Sequence, residues 1–384
     1  MLVSSPAAPA ATKLKFVDPK RSEFFFTLRE RVDAYFTEHN ISRYADARMW
    51  AKAIFFLTCF VVLMGLIFSN QFGPWALLGL SFTLGIVMAL IGFNVSHDAI
   101  HGSFSPSARV NKWLGMTFHL GGANPYLWTI AHNGIHHTYT NVHGHDDDVN
   151  IAGGIVRLDH EAPVRSAHRF QHIYAFGLYA LTSIAWAFIK DFRNLPRFAT
   201  GPHAPRGGHP KHEVINLFVF KAAYYFLYLG LPLIVLSVTW WQVLIGFFFM
   251  HVAEGLTLAL VFQLAHVVEG TEFPAPTAHN TIEESWAAHQ LRTTANFSST
   301  SPLAHFLCGG LNMQVEHHLF PKICHTHYPA LSRIVEQTAA EFDLPYLNNA
   351  TFGSALASHY RLLKQYGLDA WRVQQAAART PVAG

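Results

Sequence analysis

Residues 74–101 read PWALLGLSFTLGIVMALIGFNVSHDAIH. The run Pro74–Phe93 carries no charge and is long enough to cross a hydrocarbon core as a helix, which needs about 20 residues. A helix continuing from Pro74 to His101 would be ~40 Å long at a rise of ~1.5 Å per residue, so it would cross and then protrude. Such a segment carries His97 and His101, four residues apart and hence on one helical face, to one surface of a membrane.

Three more apolar runs fit the same reading: 53–68 (preceded by Arg48 and Lys52), 214–238 (holding only Lys221) and 240–264. Short breaks join them in pairs, at Ser69–Gly73 and just before Trp240. The fold class expected is an all-α integral membrane protein, with four transmembrane helices in two hairpins and a helical cap on the cytoplasmic side. Composition agrees: the 384 residues are 51% hydrophobic, 14% aromatic and 13% charged, against roughly 25% charged in soluble domains. Disorder is thereby excluded. Three cysteines without a close pair exclude a disulfide scaffold, and a net charge of +3 does not suggest a nucleic-acid partner. The expected organisation is a cytoplasmic N-terminal segment, 1–45, a membrane domain, 46–345, and C-terminal helices and tail, 346–384. Residues 1–13, rich in Ala, Pro and Ser, are expected to be disordered and lack the features of a signal peptide.

Neither hairpin tip contains Lys or Arg. By the positive-inside rule both termini and the 94–213 connection are expected in the cytoplasm, with Trp75, Trp240 and Trp241 in the opposite aromatic belt. Within the connection, Trp113–Ile130 and Ile173–Ile189 read as interfacial helices rather than spans.

The chain holds 25 histidines, of which three clusters stand out: His97/His101, His132/His136/His137 and His317/His318. By helical spacing, His97 with His101 and His132 with His136 can each grip one ion. Adjacent histidines diverge by ~100°, which favours two neighbouring ions over one. All three clusters fall on the same side of the expected bilayer, and His266, at the inner end of the last apolar run, is a fourth candidate. Most other histidines read as ordinary surface or core residues. His325 and His327, Asp146–Asp148, Asp98 and Glu316 are candidates to hold the ligand imidazoles by hydrogen bonds. His251 and Glu254, three apart inside an apolar run, read either as a functional pair or as a hydrogen bond packing helices. Neutral imidazoles suit Fe, Zn, Cu or Ni. A hydrolytic zinc needs only three or four protein ligands, so this many histidines points to two irons with positions left for dioxygen, beside a membrane that supplies lipid chains.

The boxes His97–His101 (HxxxH), His132–His137 (HxxxHH) and Gln314–His318 (QxxHH) resemble those of the membrane fatty acid desaturases. So do the surrounding His136-His137-Thr138-Tyr139-Thr140-Asn141, Gln290-Leu291-Arg292-Thr293-Thr294-Ala295-Asn296 and Gly309–Pro321. The likeness covers roughly 45–345, and the Gln-initiated third box is similar to the acyl-lipid and linoleoyl-CoA-like branch. It implies a non-haem di-iron centre, with O2 as co-substrate, that forms a cis double bond in a fatty acyl-CoA or acyl-lipid. The ligands it implies are His97, His101, His132, His136, His137, His266, His317 and His318. Gln314 stands where stearoyl-CoA-type relatives have a histidine, and Phe262 near where they place a further ligand.

The resemblance also implies a source of electrons. His209-Pro210 is followed by Lys211 rather than by the Gly-Gly of a fused cytochrome b5, and no glycine-rich dinucleotide motif is present. An external donor is therefore expected: a ferredoxin, cytochrome b5 or a flavin reductase. Arg157, Arg165, Arg169, Arg193, Arg197 and Lys211 are expected to form a basic surface for that donor, an acyl headgroup or lipid. The alternative on the same scaffold is a hydroxylase or acetylenase; a zinc-dependent membrane hydrolase or lipid receptor is the rival outside it.

Overall fold

The computed structural model describes residues 14–17, 23–146, 154–158 and 162–379. The segment expected to be disordered, 1–13, and Asp147 and Asp148 lie outside them. The helices that position the site are α1 (Glu23–Glu38), α2 (Ala47–Phe68), α3 (Pro74–His101), α4 (Ser166–Ala180), α5 (Thr182–Arg197), α6 (Lys211–Val235) and α7 (Trp240–His266). Among the described residues, α2, α3, α6 and α7 are long and apolar enough to cross a membrane.

Local chemistry sets their ends. Helix α2 starts six residues ahead of its apolar run because the Asp46 carboxylate accepts the Met49 N–H at 2.9 Å and caps the first turn. At the other end of the bundle Thr239 and Gln242 form a reciprocal cap that opens α7. Helix α3 stops at Gly102, whose φ of 74° suits a residue without a Cβ. Two expected helices differ from the sequence reading. The stretch 173–189 is not one interfacial helix but parts of α4 and α5, bent by 58° at Leu181, which together are also apolar enough to span. The stretch 113–130 is broken into short turns, with Gly122 at φ 73° and Asn124 capping Pro125–Thr129.

Helices α3 and α7 form the centre of the bundle. A Cβ at Gly85 would overlap the Met250 carbonyl, so glycine there sets how closely the two axes approach. Met49, Ala53 and Phe56, near the start of α2, pack on Val87, Ile91 and Val95 near the end of α3. Ile67 and Leu77 share a second cluster with Tyr228 and Met250. Asn70, between α2 and α3, donates to Val235 O at 2.7 Å and accepts from Ser237 N–H at 2.9 Å, tying the two short connections together. Outward faces are apolar: Trp75 is 85% exposed, Ile234 74% and Val61 65%. Such a belt is stable against lipid and would aggregate in water.

Two sets of buried polar groups tie the spans to their neighbours. The Lys221 ammonium lies 2.9 Å from Asp191 Oδ2 and donates to the carbonyls of Gly122, Trp186 and Ala187. His251 sits between Ser183 Oγ at 2.8 Å and Tyr224 OH at 3.0 Å, with Glu254 3.5 Å away. Of its two readings the contacts carry the packing one, because they join α7 to α5 and α6. Arg157 is not surface: it is buried and donates to the carbonyls of Ala162 and Tyr366.

The chain beyond the spans adds α8 (Trp286–Thr293), α9 (Pro302–Cys308), α10 (Gln314–Leu319), α11 (Tyr328–Glu341) and α12 (Phe352–Lys364). Phe24, Leu28, Val32 and Phe36, one turn apart on α1, pack on Leu331, Val335 and Ala339 of α11. Strict all-α needs one correction. Lys15–Phe16 pairs with Thr281–Ile282, and Asn296–Phe297 with Asn348–Asn349, as two short parallel ladders. They satisfy backbone groups of segments too irregular to be helical.

Candidate metal centre

All eight histidines singled out in the sequence are buried, and the fold gathers them from four stretches of chain. Helix α3 brings His97 and His101, the turn Ile130–His136 and the residue after it bring His132, His136 and His137, α7 brings His266, and α10 brings His317 and His318. They fall into two groups whose ligand atoms lie within 4.8 Å of one another: His97, His101, His132 and His317, and His136, His266 and His318. His137 stands between them, its ring centroid 4.6 Å from His317 and 4.4 Å from His318.

Two expectations hold and one is corrected. His97 and His101 face one another at 4.7 Å, as one-turn spacing requires, and the adjacent His317 and His318 diverge into different groups. His132 and His136, however, do not share a group. The backbone at Ile130–His136 is a π-turn, with His137 N–H bonded to His132 O at 3.0 Å. This widened turn aligns residues five apart rather than four. Accordingly His132 Nε2 meets His137 Nε2 at 3.1 Å, and His136 turns toward His266. A second π-turn, Gly92–Ser96, precedes His97, with Asn94 bonded to Leu90 O and Leu307 O. Such turns recur at functional sites.

Hydrogen bonds orient the imidazoles. His136 Nδ1 lies 2.9 Å from Asp146 Oδ2, which also accepts the Asn141 N–H. A carboxylate only accepts, so Nδ1 carries the proton and Nε2 keeps a lone pair. His318 Nδ1 donates in the same way to Gln290 Oε1 at 2.7 Å, where Thr140 also donates. His317 Nδ1 pairs with Tyr328 OH at 3.2 Å, and His266 Nδ1 with Thr293 O at 3.3 Å. Sequence reasoning anticipated Asp146 but not Gln290, Thr293 or Tyr328; Gln290 and Thr293 do lie in the quoted 290–296 stretch.

The other expected partners behave differently. Asp98 lies 3.8 Å from His97 Nδ1, too far for a hydrogen bond, and is held by His325 at 2.9 Å. His325 thus holds Asp98 rather than any of the eight imidazoles, whereas His327 faces Tyr44 O at 3.5 Å. Glu316 points away from the imidazoles and accepts from Asn296 and Tyr346. It precedes His317 and His318 on a helix whose inward face they fill. Burial pushes its carboxyl up to about 7.

The donor set fits a metal. Burial, reinforced by neighbouring imidazoles, pushes His132, His137, His317 and His318 well below the ordinary histidine value, so they are neutral imidazoles, the form a metal would need. His97 Nε2, His101 Nε2, His317 Nε2 and His318 Nε2 are buried without a hydrogen-bond partner, a cost of about 1–3 kcal/mol each unless something else satisfies them. Gln314 is buried with Oε1 equally unpartnered. Around the histidines, Trp128 stacks on His132 at 4.0 Å and Phe262 lies 6.4 Å from it, giving an apolar wall. A third metal-capable group, Asp98, Cys324 and His325, is already served by a cation: Lys52 Nζ lies 3.1 Å from His325 Nε2, and burial keeps the Cys324 thiol protonated.

Comparison with known proteins meets this geometry. Residues 73–349 match the fatty acid desaturase family. The chain is 37% identical to the sn-1 linoleoyl-lipid 6-desaturase of Synechocystis sp., over 93% of this chain and 98% of that one. It is 34% identical to the Arthrospira platensis protein of the same name, over 94% and 96%. It is 32% identical to the acyl-lipid (8-3)-desaturase of Physcomitrium patens, over 94% of this chain and 75% of the relative. With buried histidine clusters beside four membrane-length apolar helices, this chain belongs to the fatty acid desaturase family and is an integral membrane oxidoreductase that desaturates acyl chains.

Proposed function

We propose that the protein inserts a cis double bond into the acyl chain of a membrane lipid, consuming O2 and electrons from a separate donor. The observation that carries this reading is the pair of adjoining groups of buried, neutral imidazoles at the ends of apolar spans. In it His97, His101, His132 and His317 hold one iron, His136, His266 and His318 the other, and His137 lies between them. When bound, the irons supply the O2 chemistry that removes two hydrogens from an unactivated chain. The protein's own residues keep Nε2 of His136 and His318 turned inward through Asp146 and Gln290, and exclude water with Trp128 and Phe262. The carrier is a lipid rather than CoA, by analogy with the 6-desaturase named for a linoleoyl lipid. By the same analogy, the new bond enters on the carboxyl side of those already present.

The membrane arrangement belongs to the proposal: two hairpins, a helical cap, and the site with both termini on the cytoplasmic side. Residues 46–345 form the catalytic domain, and the donor is a ferredoxin, a cytochrome b5 or a flavin reductase. The test is fatty-acid profiling of a host expressing the chain with a donor, alongside His136→Ala. A new double bond that vanishes in the variant is expected. An alcohol carrying label from oxygen-18 gas as the main product would point to the hydroxylase instead, and zinc in place of about two irons per chain would defeat the reading.

A further inference from the structure

Outside the histidine centre, one cavity combines charge with apolar walls. It has a volume of about 410 Å³ and lies between the first turns of α2, the start of α9 and the 326–329 segment; its polar lining includes Arg48, Lys52, His305, Thr300 and Thr326, and no carboxylate. Lys52 is nine-tenths buried. Its ammonium touches a neutral acceptor, His325 Nε2, and lies 5.1 Å from the centre of the Phe306 ring. Neither Lys52 nor Arg48 has an ion-pair partner among the described residues. His305 Nδ1 is also buried and unpartnered. The carboxylate nearest to Lys52, Asp98, stands behind His325 and is bonded to it, so two cations border the cavity with no carboxylate in its lining, and an anion there would supply the missing counter-charge.

Position narrows the anion. Arg48 and Lys52 are one turn apart at the start of α2, immediately before sixteen residues, Ala53–Phe68, that carry no charge. Cations at that point of a span lie at headgroup depth. Beside them Leu303, Phe306 and Phe55 are exposed, at 67%, 39% and 52%, as they would be against acyl chains. We propose that this cavity binds the phosphate of an anionic phospholipid, whose chains run down the Phe55–Phe306 face. From Lys52 the contacts continue through His325 to Asp98, beside His97, so the headgroup would sit next to the metal centre. That the bound lipid is also the substrate rests on the function proposed above; that it binds does not.

The test is native mass spectrometry of the full-length protein equilibrated with phosphatidylglycerol or with a neutral galactolipid of the same acyl chains. Wild type is expected to retain phosphatidylglycerol by about tenfold over the galactolipid. Arg48→Glu, at an exposed position that tolerates substitution, and Lys52→Met should each remove the preference. Millimolar inorganic phosphate should compete with the phospholipid. Equal retention of the two lipids, or an unchanged preference in both variants, overturns the site. Binding of inorganic phosphate without any lipid preference overturns the lipid assignment. Because binding is read without turnover, a chain that passes here and forms no double bond in the expression test would sink the proposed function alone.

Discussion

His132 Nε2 and His137 Nε2 lie 3.1 Å apart, facing each other across a π-turn rather than lying on different faces of an α-helix. With a proton on one Nε2 the two rings form a single N–H···N bond; with both Nε2 unprotonated, two lone pairs face each other at this distance, and a metal would draw both. His137→Ala is therefore expected to lower turnover by at least ~100-fold and to reduce bound iron below two per chain, with membrane insertion unchanged. Iron content and product formation on the same preparation check it; full iron with full activity would remove His137 from the centre.

Asp146 and Gln290 hold His136 and His318 by their Nδ1 protons. Loss of such an outer partner commonly weakens a metal site by about 10–100-fold. Asp146→Ala and Gln290→Leu should lose iron to a mild chelator faster than wild type. Melting in the presence of excess iron should change little. Iron retained at the wild-type rate in both would show that these bonds do not orient ligands.

Lys221 and Asp191 form an ion pair deep in the bundle. Removing one partner strands the other, at a cost of about 3–5 kcal/mol, whereas replacing both with apolar residues is often neutral. Lys221→Met should lower the unfolding temperature in detergent sharply, and Lys221→Met with Asp191→Leu should recover most of the loss. A double variant as unstable as the single one would mean that the carbonyl bonds of Lys221, not its charge pair, carry the stability.

His359 of α12 is buried, with Nδ1 donating to Val267 O at 2.6 Å and Nε2 accepting from Tyr179 OH at 2.9 Å. Burial pushes it down to about 4 from an ordinary value of 6.5. The unfolded chain thus takes up this proton before the folded one does. Its contribution is fully present above pH 6.5 and is lost as pH falls toward 4. The unfolding temperature of wild type should drop across that window, and His359→Gln should drop less steeply. Parallel curves would show that His359 does not set the acid sensitivity.

The four apolar runs, the three histidine boxes and their fitness for metal were legible in the sequence, because hydrocarbon length and ligand chemistry are properties of short stretches read one at a time. The family resemblance rested on the same local text. Which imidazoles share a group was not legible: 3.6-residue spacing pairs His132 with His136, and only the π-turn at Ile130–His136 reassigns one of them. The groups that hold the imidazoles were equally out of reach, since Gln290 lies 28 residues from His318 and Tyr328 meets His317 from another helix. Hydrophobic periodicity reports which face is buried and not what it is buried against. The choice of neighbour is made when α3, α7, α10 and the Ile130–His136 turn close around one centre, where each backbone turn sets the direction of the side chain it carries.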